Sequence, residues 1–365
     1  MTIDKYFTLI ALIISFLGGL LTTPAILDFC KRKGLYDLPN ARKVHKTQVP
    51  RMGGVVFLPC VIVGCMVVFA IYRLSGEHKL TLSLWTVYFF FGALLIYTTG
   101  LLDDVLGLKA STKLTTQLIA AMMLPLSGLY INNLQGLFGI YEIPFYVGAP
   151  LTVFIVAFVA NSMNLIDGID GLSGCLSVLA LLGFWYYFTM WALPFYAIII
   201  ASLIGVLLAF LWFNLWGDTT KNRKIFMGDT GSLTLGFLLS FLSLKLSMVN
   251  PNLKPFDGNG LLISLSLLLI PTFDAARVAM VRIMHKKSPM SPDKRHIHHK
   301  LMNIGLTQHQ TLITIIALAI LFMALNYFLS LTVSFNVIII IDVVLYALLH
   351  VLLNLFTPNS PTASS

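Results

Sequence analysis

Long apolar runs limit what this chain can become more than any other feature. Residues 6–27 pass without a formal charge, and ten further mainly apolar runs follow near 53–72, 83–102, 114–131, 148–163, 171–190, 194–213, 231–248, 259–284, 310–330 and 334–355. A bilayer's hydrocarbon core is about 30 Å thick and takes roughly 20 apolar residues as a helix, so runs of this length predict transmembrane helices and not a barrel. The expected fold is an all-α, polytopic bundle of about eleven transmembrane helices, one domain over 1–356 followed by a disordered tail over 357–365. Composition agrees, since 58% hydrophobic against 11% charged residues lies far from the balance of a soluble domain. The first run is too long for a signal-peptide core, is preceded only by Lys5 and lacks a small-residue cleavage pattern, so it reads as a retained span. Cys30, Cys60, Cys65 and Cys175 show no C-x-x-C spacing and read as small apolar side chains.

The 24 lysines and arginines are distributed unevenly. Seven follow the first run (Lys31, Arg32, Lys33, Arg42, Lys43, Lys46, Arg51), two the third (Lys109, Lys113), three the seventh (Lys221, Arg223, Lys224) and seven lie at or beyond the end of the ninth. Even-numbered loops hold only Arg73, Lys79, Lys245 and Lys254. Basic residues accumulate on the cytoplasmic side, so odd loops are expected there, with the N-terminus outside and the C-terminus cytoplasmic. The formal charge of +9 then concentrates on a face that meets anionic head groups or an anionic substrate.

The same parity sorts the unusual polar clusters. RKVHKTQVPRMGG follows run 1, LLDDVLGLKASTK run 3, NLIDGIDG run 5, FNLWGDTTKNRKIFMGDTGS run 7 and SPDKRHIHHK run 9. Each has a plain reading when taken alone. Asp103 and Asp104 suit a solvated helix end, Asp167 and Asp170 a structural loop, and Asp229 an N-cap. Asp229 also sits between glycines at the start of a run, where free amides at a helix N-terminus attract phosphate. His296, His298 and His299 have no cysteine or fourth ligand nearby to complete a zinc site, and their lysine and arginine neighbours suit phosphate contact better. Several carboxylates with histidines and lysines on one membrane face point to an oxygen-ligated divalent metal holding a diphosphate.

The chain resembles the polyprenyl-phosphate N-acetylhexosamine-1-phosphate transferases. The resemblance runs from Lys46-x-x-x-Pro50-Arg51-x-Gly53-Gly54 through Asp103-Asp104, Asn164-Leu165-x-Asp167-Gly168-x-Asp170-Gly171 and Phe226-Met227-Gly228-Asp229 to His296-Ile297-His298-His299. It implies transfer of a sugar 1-phosphate from a UDP-sugar to a polyprenyl phosphate such as undecaprenyl phosphate. Catalytic roles fall to Asp103, Asp104, Asp229 and His298, with Asp103 and Asp104 at the lipid-phosphate end. Asn164, Asp167, Asp170, Asn214 and Phe226 match positions lining the nucleotide and metal site, Lys46 and Lys113 phosphate contacts, and His296 and His299 the donor site. Asp229, with Asp167 and Asn164 as further candidates, would hold Mg²⁺, with Mn²⁺ as the alternative. Where some members read Asp-Asp-x-x-Asp, the fifth position here is Gly107. His-Ile-His-His after Ser-Pro-Asp resembles the branch that uses UDP-GlcNAc to begin surface glycans; the UDP-MurNAc-pentapeptide branch more often reads three consecutive histidines. The resemblance implies a bacterial cytoplasmic membrane, a cytoplasmic active site, membrane lipids as surroundings, no nucleic-acid partner, and leaves homodimer formation open.

Two rivals compete with this reading. A transporter of a phosphorylated sugar or lipid should carry polar or interrupted helices near the membrane midplane, and a non-catalytic scaffold would tolerate loss of the acidic cluster. Asp342 is read as the one carboxylate deep in a late run, as a helix–helix contact or a functional group.

Overall fold

The computed structural model describes residues 3–37, 48–74, 84–221, 223–249, 259–288 and 295–356. Lys46, the Ser291-Pro292-Asp293 stretch, Lys294 and the 357–365 tail lie outside the described residues. Thirteen helices are present among the described residues: α1 (Ile3–Lys33), α2 (Phe57–Leu74), α3 (Leu84–Leu106), α4 (Ala110–Leu126), α5 (Phe145–Ile166), α6 (Leu172–Met190), α7 (Pro194–Leu215), α8 (Gly228–Ser247), α9 (Gly260–Leu267), α10 (Leu269–Met284), α11 (Ile297–Asn303), α12 (Gln308–Ser330) and α13 (Phe335–Phe356). A 3₁₀ turn over Gly53–Val56 leads into α2. Nine of the described helices are long and apolar enough to cross a bilayer, or ten if α9 and α10 form one bent span. The protein is therefore a helical, polytopic membrane protein.

The structure differs from the sequence-based expectation in three places. The run at 114–131 becomes α4, whose 17 residues end at Leu126, just before Gly128 turns left-handed with φ +86°; this is at the short limit of a membrane-crossing helix. The run at 259–284 breaks into α9 and α10, bent by 74°. Pro271 explains the break, because it has no N–H to give the Leu267 carbonyl four residues earlier and its ring crowds that carbonyl. Two small antiparallel pairs also interrupt the all-α expectation, β1 (Tyr36–Asp37) with β2 (Val49–Pro50), and β3 (Asn133–Leu137) with β4 (Ile140–Glu142).

Helices α7 and α8 form the centre and are buried along most of their length. Both lack a polar outer face: α7 is apolar almost all round, and α8 carries Gly231, Ser232, Thr234, Gly236 and Ser240, all buried. Small residues let helix backbones approach closely where lipid supplies no hydrophobic drive for association. Two contacts fix the site. A side chain on Gly100 would lie 2.5 Å from the Thr230 Cα, so only glycine lets α3 press against the first turn of α8. Likewise Gly54 packs backbone to backbone on Gly231, leaving no room for a Cβ between them.

Asp342 is buried, and its Oδ2 accepts from Asn326 Nδ2 at 2.9 Å. The same nitrogen donates to Ser266 Oγ at 2.9 Å. The carboxylate is thus a polar contact joining α9, α12 and α13, the first of its two sequence-based readings.

Candidate active site

Helix α8 begins without a capping side chain of its own, since Met227 occupies the N-cap. Its free amides are satisfied from another helix. Asp104, at the end of α3, accepts from the backbone N–H of Asp229 and of Thr230, each at 2.9 Å, and from Thr230 Oγ1 at 2.6 Å. The segment before α8 is held by the Pro50–Gly54 stretch. Phe226 N donates to Pro50 O at 2.7 Å, Gly53 N to Phe226 O at 2.8 Å and Gly54 N to Met227 O at 2.7 Å. Phe226 is thus held by its backbone, at the edge of the cavity.

With its amides capped, α8 presents Asp229 in its first turn. Lys113 of α4 lies between two carboxylates, 2.5 Å from Asp229 Oδ2 and 2.7 Å from Asp103 Oδ2. Asn164 Nδ2 donates to Asp229 Oδ1 at 3.0 Å and to Ser232 Oγ at 2.9 Å. Asp103 Oδ1 accepts from Leu108 N at 2.6 Å, closing the turn after α3. Adjacent in sequence, Asp103 and Asp104 therefore have different tasks: Asp103 faces a cation at the cavity, whereas the Asp104 carboxylate receives three donors from the first turn of α8.

These groups line a cavity of about 510 Å³ together with the Asp167–Asp170 loop and His299. Within that loop Asp170 Oδ2 pairs with Lys224 Nζ at 2.6 Å. Asn214 Oδ1 accepts from Gly171 N at 2.6 Å and its Nδ2 donates to Ile225 O at 2.8 Å, so this side chain ties the loop to the segment before α8. Asp167 has its pKa raised to about 8, by burial first and then by the charges of Asp229, Asp170 and Asp104. The cavity thus carries more negative charge than Lys113 and Lys224 balance.

Of the three histidines, His299 lines the cavity. His298 is buried behind it, with Nε2 against Gly168, where any side chain would collide with the ring. Burial, and then the charges of His299 and His296, push the His298 pKa down to about 3. His298 therefore stays neutral at physiological pH and cannot screen phosphate as a cation. Its neutral form is favoured in the fold and its unfolded pKa is near 6.5, so its contribution to stability is present above pH 6.5 and lost as pH falls toward 3. The loss is at most about 1.4 kcal/mol per pH unit. Thermal melts of detergent-solubilised protein should fall more steeply with acid in the wild type than in His298→Gln; superimposable profiles would refute the assignment.

The structure thus gathers Asp103, Lys113, Asn164, Asp167, Asp170, Phe226, Asp229 and His299 around one cavity. Asp104 and Asn214 also border it, with their polar atoms bonded to backbone. His296 and His298 lie behind it. Sequence reasoning missed Lys224, Thr230, Ser232 and, most consequentially, Asp274. Asp274 lies in α10 and is 1% exposed, so Asp342 is not the sole carboxylate deep in a late run. An ionisable residue within an apolar run, with Arg277 one turn on, was the signal available.

The glycosyl transferase family 4 pattern matches residues 85–247. A probable undecaprenyl-phosphate N-acetylglucosaminyl 1-phosphate transferase of Bacillus subtilis (strain 168) is 32% identical over 325 residues, covering 86% of this chain and 82% of the relative. The undecaprenyl-phosphate alpha-N-acetylglucosaminyl 1-phosphate transferase of Escherichia coli (strain K12) is 30% identical over 290 residues, 78% of this chain and 74% of the relative. Its Salmonella typhimurium counterpart is 31% identical over 302 residues, covering 79% and 75%.

Proposed function

This chain belongs to glycosyl transferase family 4, and from that premise we propose that it transfers GlcNAc 1-phosphate from UDP-GlcNAc to undecaprenyl phosphate, releasing UMP. The observation that carries the reading is convergence: groups from α3, α4, α5 and α8, remote in sequence, meet at one cavity on the first turn of α8. Its volume of about 510 Å³ falls within the range of roughly 300–1,000 Å³ usual for small-molecule sites. The basic loops favour a cytoplasmic cavity in the bacterial inner membrane, and counting the 17-residue α4 and the bent α9–α10 pair as one span each gives eleven, with the C-terminus inside. Cysteine labelling from each side should place substituted positions 103 and 299 on the cytoplasmic face; opposite faces for the two would defeat the site.

A divalent cation fits these residues. The donor set is oxygen, and Asp167, whose pKa is raised by burial first, also feels the charges of Asp229, Asp170 and Asp104, which a cation would offset. Mg²⁺ is commonly bound by one or two carboxylates with substrate phosphates and water completing its shell. The described residues need not supply a complete protein cage, and they contain no cluster of three or more acidic, histidine or cysteine ligands. Asp229, Asp167 and Asn164 would hold the ion, which when bound neutralises charge on the diphosphate and the leaving UMP. Mn²⁺ is the alternative ion.

Lys113 and Lys224 attract the two anionic substrates into one cavity, while Asp229 and Asp103 keep Lys113 placed. A phosphate monoester has a second pKa of about 6, so the lipid phosphate is largely dianionic at neutral pH and needs no strong base. Its oxygen attacks the sugar-bearing phosphorus, the bond to the bridging oxygen of UMP breaks, and that oxygen leaves with the electron pair. Positioning and electrostatics supply the catalysis. Asp104 is held by three donors in α8, and Asp103 is paired with Lys113, which favours direct attack over a phosphosugar–aspartate intermediate.

Purified protein with Mg²⁺, UDP-GlcNAc and undecaprenyl phosphate should release UMP, lose that activity with EDTA, and catalyse no exchange of labelled UMP into UDP-GlcNAc without lipid. Absence of UMP release in the complete mixture would overturn the function; robust lipid-free exchange, lost in Asp103→Asn, would overturn direct attack. The His-Ile-His-His sequence and the GlcNAc-transferase names of the relatives favour this donor over UDP-MurNAc-pentapeptide. The break at Pro271 is the interrupted helix a transporter would need, yet the carboxylate–lysine cavity lies at α8's N-terminus, which supports transfer.

A further inference from the structure

Behind the cavity, the histidine segment is fastened to the membrane bundle at one buried carboxylate. Asp274 lies in the second turn of α10, after the 74° bend, and each of its oxygens is engaged. Oδ2 meets His296 Nδ1 at 2.7 Å. Oδ1 accepts from the Ile297 backbone N–H at 3.0 Å and from Arg277 Nη2 at 2.9 Å. Arg277 Nη2 also donates to the Arg295 carbonyl at 2.5 Å. Helix α11 has no cap from its own N-cap residue, His296; Asp274 supplies the acceptor across the fold.

The anchored ring begins a stack that reaches the cavity. His296 lies parallel to His298, with ring centroids 5.9 Å apart and planes 8° from parallel, and His298 contacts His299 at 4.2 Å. His298 rests edge-on against Gly168 of the cavity loop, and His299 lines the cavity itself. A displacement at His296 would be passed directly to the two rings beyond it.

We propose that Asp274 is a positioning residue for the transfer reaction: its contact with His296 Nδ1 fixes that ring's tautomer and holds the His296–His298–His299 stack against the donor end of the cavity. The assignment rests on the transferase reading above, and goes beyond it by giving a specific task to a residue outside the cavity. A carboxylate accepts only, so it selects an Nδ1–H ring. In an Asp274→Asn variant the new side chain can keep its oxygen toward Ile297 N–H and Arg277 while turning an amide N–H to His296, which would force the proton to Nε2. The same logic governs carboxylate–histidine pairs elsewhere, where amide replacement preserves shape and installs the wrong tautomer. The titratable groups around the pair include Arg277, His298, Lys300 and, from α13, Tyr346 and His350, which fall within electrostatic reach of Asp274 or Arg277.

Two measurements test this. In protein labelled with ¹⁵N-histidine and held in nanodiscs, the His296 ring, assigned by its loss in His296→Gln, should carry its proton on Nδ1 and switch to Nε2–H in Asp274→Asn. A bare Nδ1 in the wild type would overturn the proposal, whatever the enzyme's substrates prove to be. In kinetics, Asp274→Asn should lower kcat/KM for UDP-GlcNAc by about 10–100-fold, leave the KM for the lipid nearly unchanged, and have little further effect in a His296→Gln background. A multiplicative loss in that background, or equal effects on both substrates, would show that Asp274 does not act through His296. The spectrum needs no turnover, so failure of the transferase assignment would leave its outcome readable.

Discussion

Asp229→Asn should abolish transfer while leaving a folded, membrane-inserted protein. The carboxylate has a quarter of its side-chain surface exposed and receives Lys113 on one oxygen and Asn164 on the other. Asparagine keeps the shape, but it removes the charge that holds Lys113 and turns an N–H₂ toward one of two existing donors. It also removes the hard oxygen ligand best placed, in the first turn of α8, to share a cation with a diphosphate. Loss of one preorganised electrostatic contact at a reacting centre costs about 10²–10³-fold in rate, and on the proposed Mg²⁺ reading the loss of a ligand adds to that. UMP release should therefore fall at least a few hundredfold at saturating Mg²⁺, with a melting temperature close to wild type. Near-normal turnover would remove Asp229 from the mechanism.

Its neighbour across the helix interface should behave differently. Asp104→Ala is expected to destabilise the protein first and lower activity as a result. Asp104 is 2% exposed, and its removal leaves two backbone N–H groups and the Thr230 hydroxyl without their acceptor. A buried donor left unsatisfied costs about 1–3 kcal/mol, so the three together cost on the order of 3–9 kcal/mol. Asp104→Asn retains one acceptor oxygen and should fall between the two. Melting in detergent, measured alongside UMP release, separates the roles. A wild-type melting temperature with lost turnover would return Asp104 to the chemistry. The Asp-Asp pair is then two residues with two functions, one facing the cavity and one capping the helix that presents Asp229.

Much of this site was legible in sequence because membrane folding is restrictive. Charged groups rarely sit among apolar runs without a task, so Asp103, Asp167 and Asp229 stood out together, alternation of loops assigned them to one face, and the family resemblance added Lys113 and Asn164. Less legible were consequences of backbone geometry. Pro271 was visible in the ninth run, yet the 74° bend depended on where the broken helix could repack. Asp274 went unread, since its partners His296 and Ile297 come more than twenty residues later in the chain.

The sequence by itself determined that the long apolar segments are helices suited to a bilayer, and that the polar chemistry gathers at one end. Those are consequences of length and hydropathy, which depend on composition along the chain and need no knowledge of neighbours. Tertiary structure decided which polar groups do which work. Helices α8 and α11 both lack a capping side chain at their N-cap, and each takes its acceptor from an aspartate on a different helix, Asp104 and Asp274. A local reading of caps examines only the residues flanking a helix; in a packed bundle, an unsatisfied amide is met by whichever buried acceptor the glycine-lined helix contacts bring within reach.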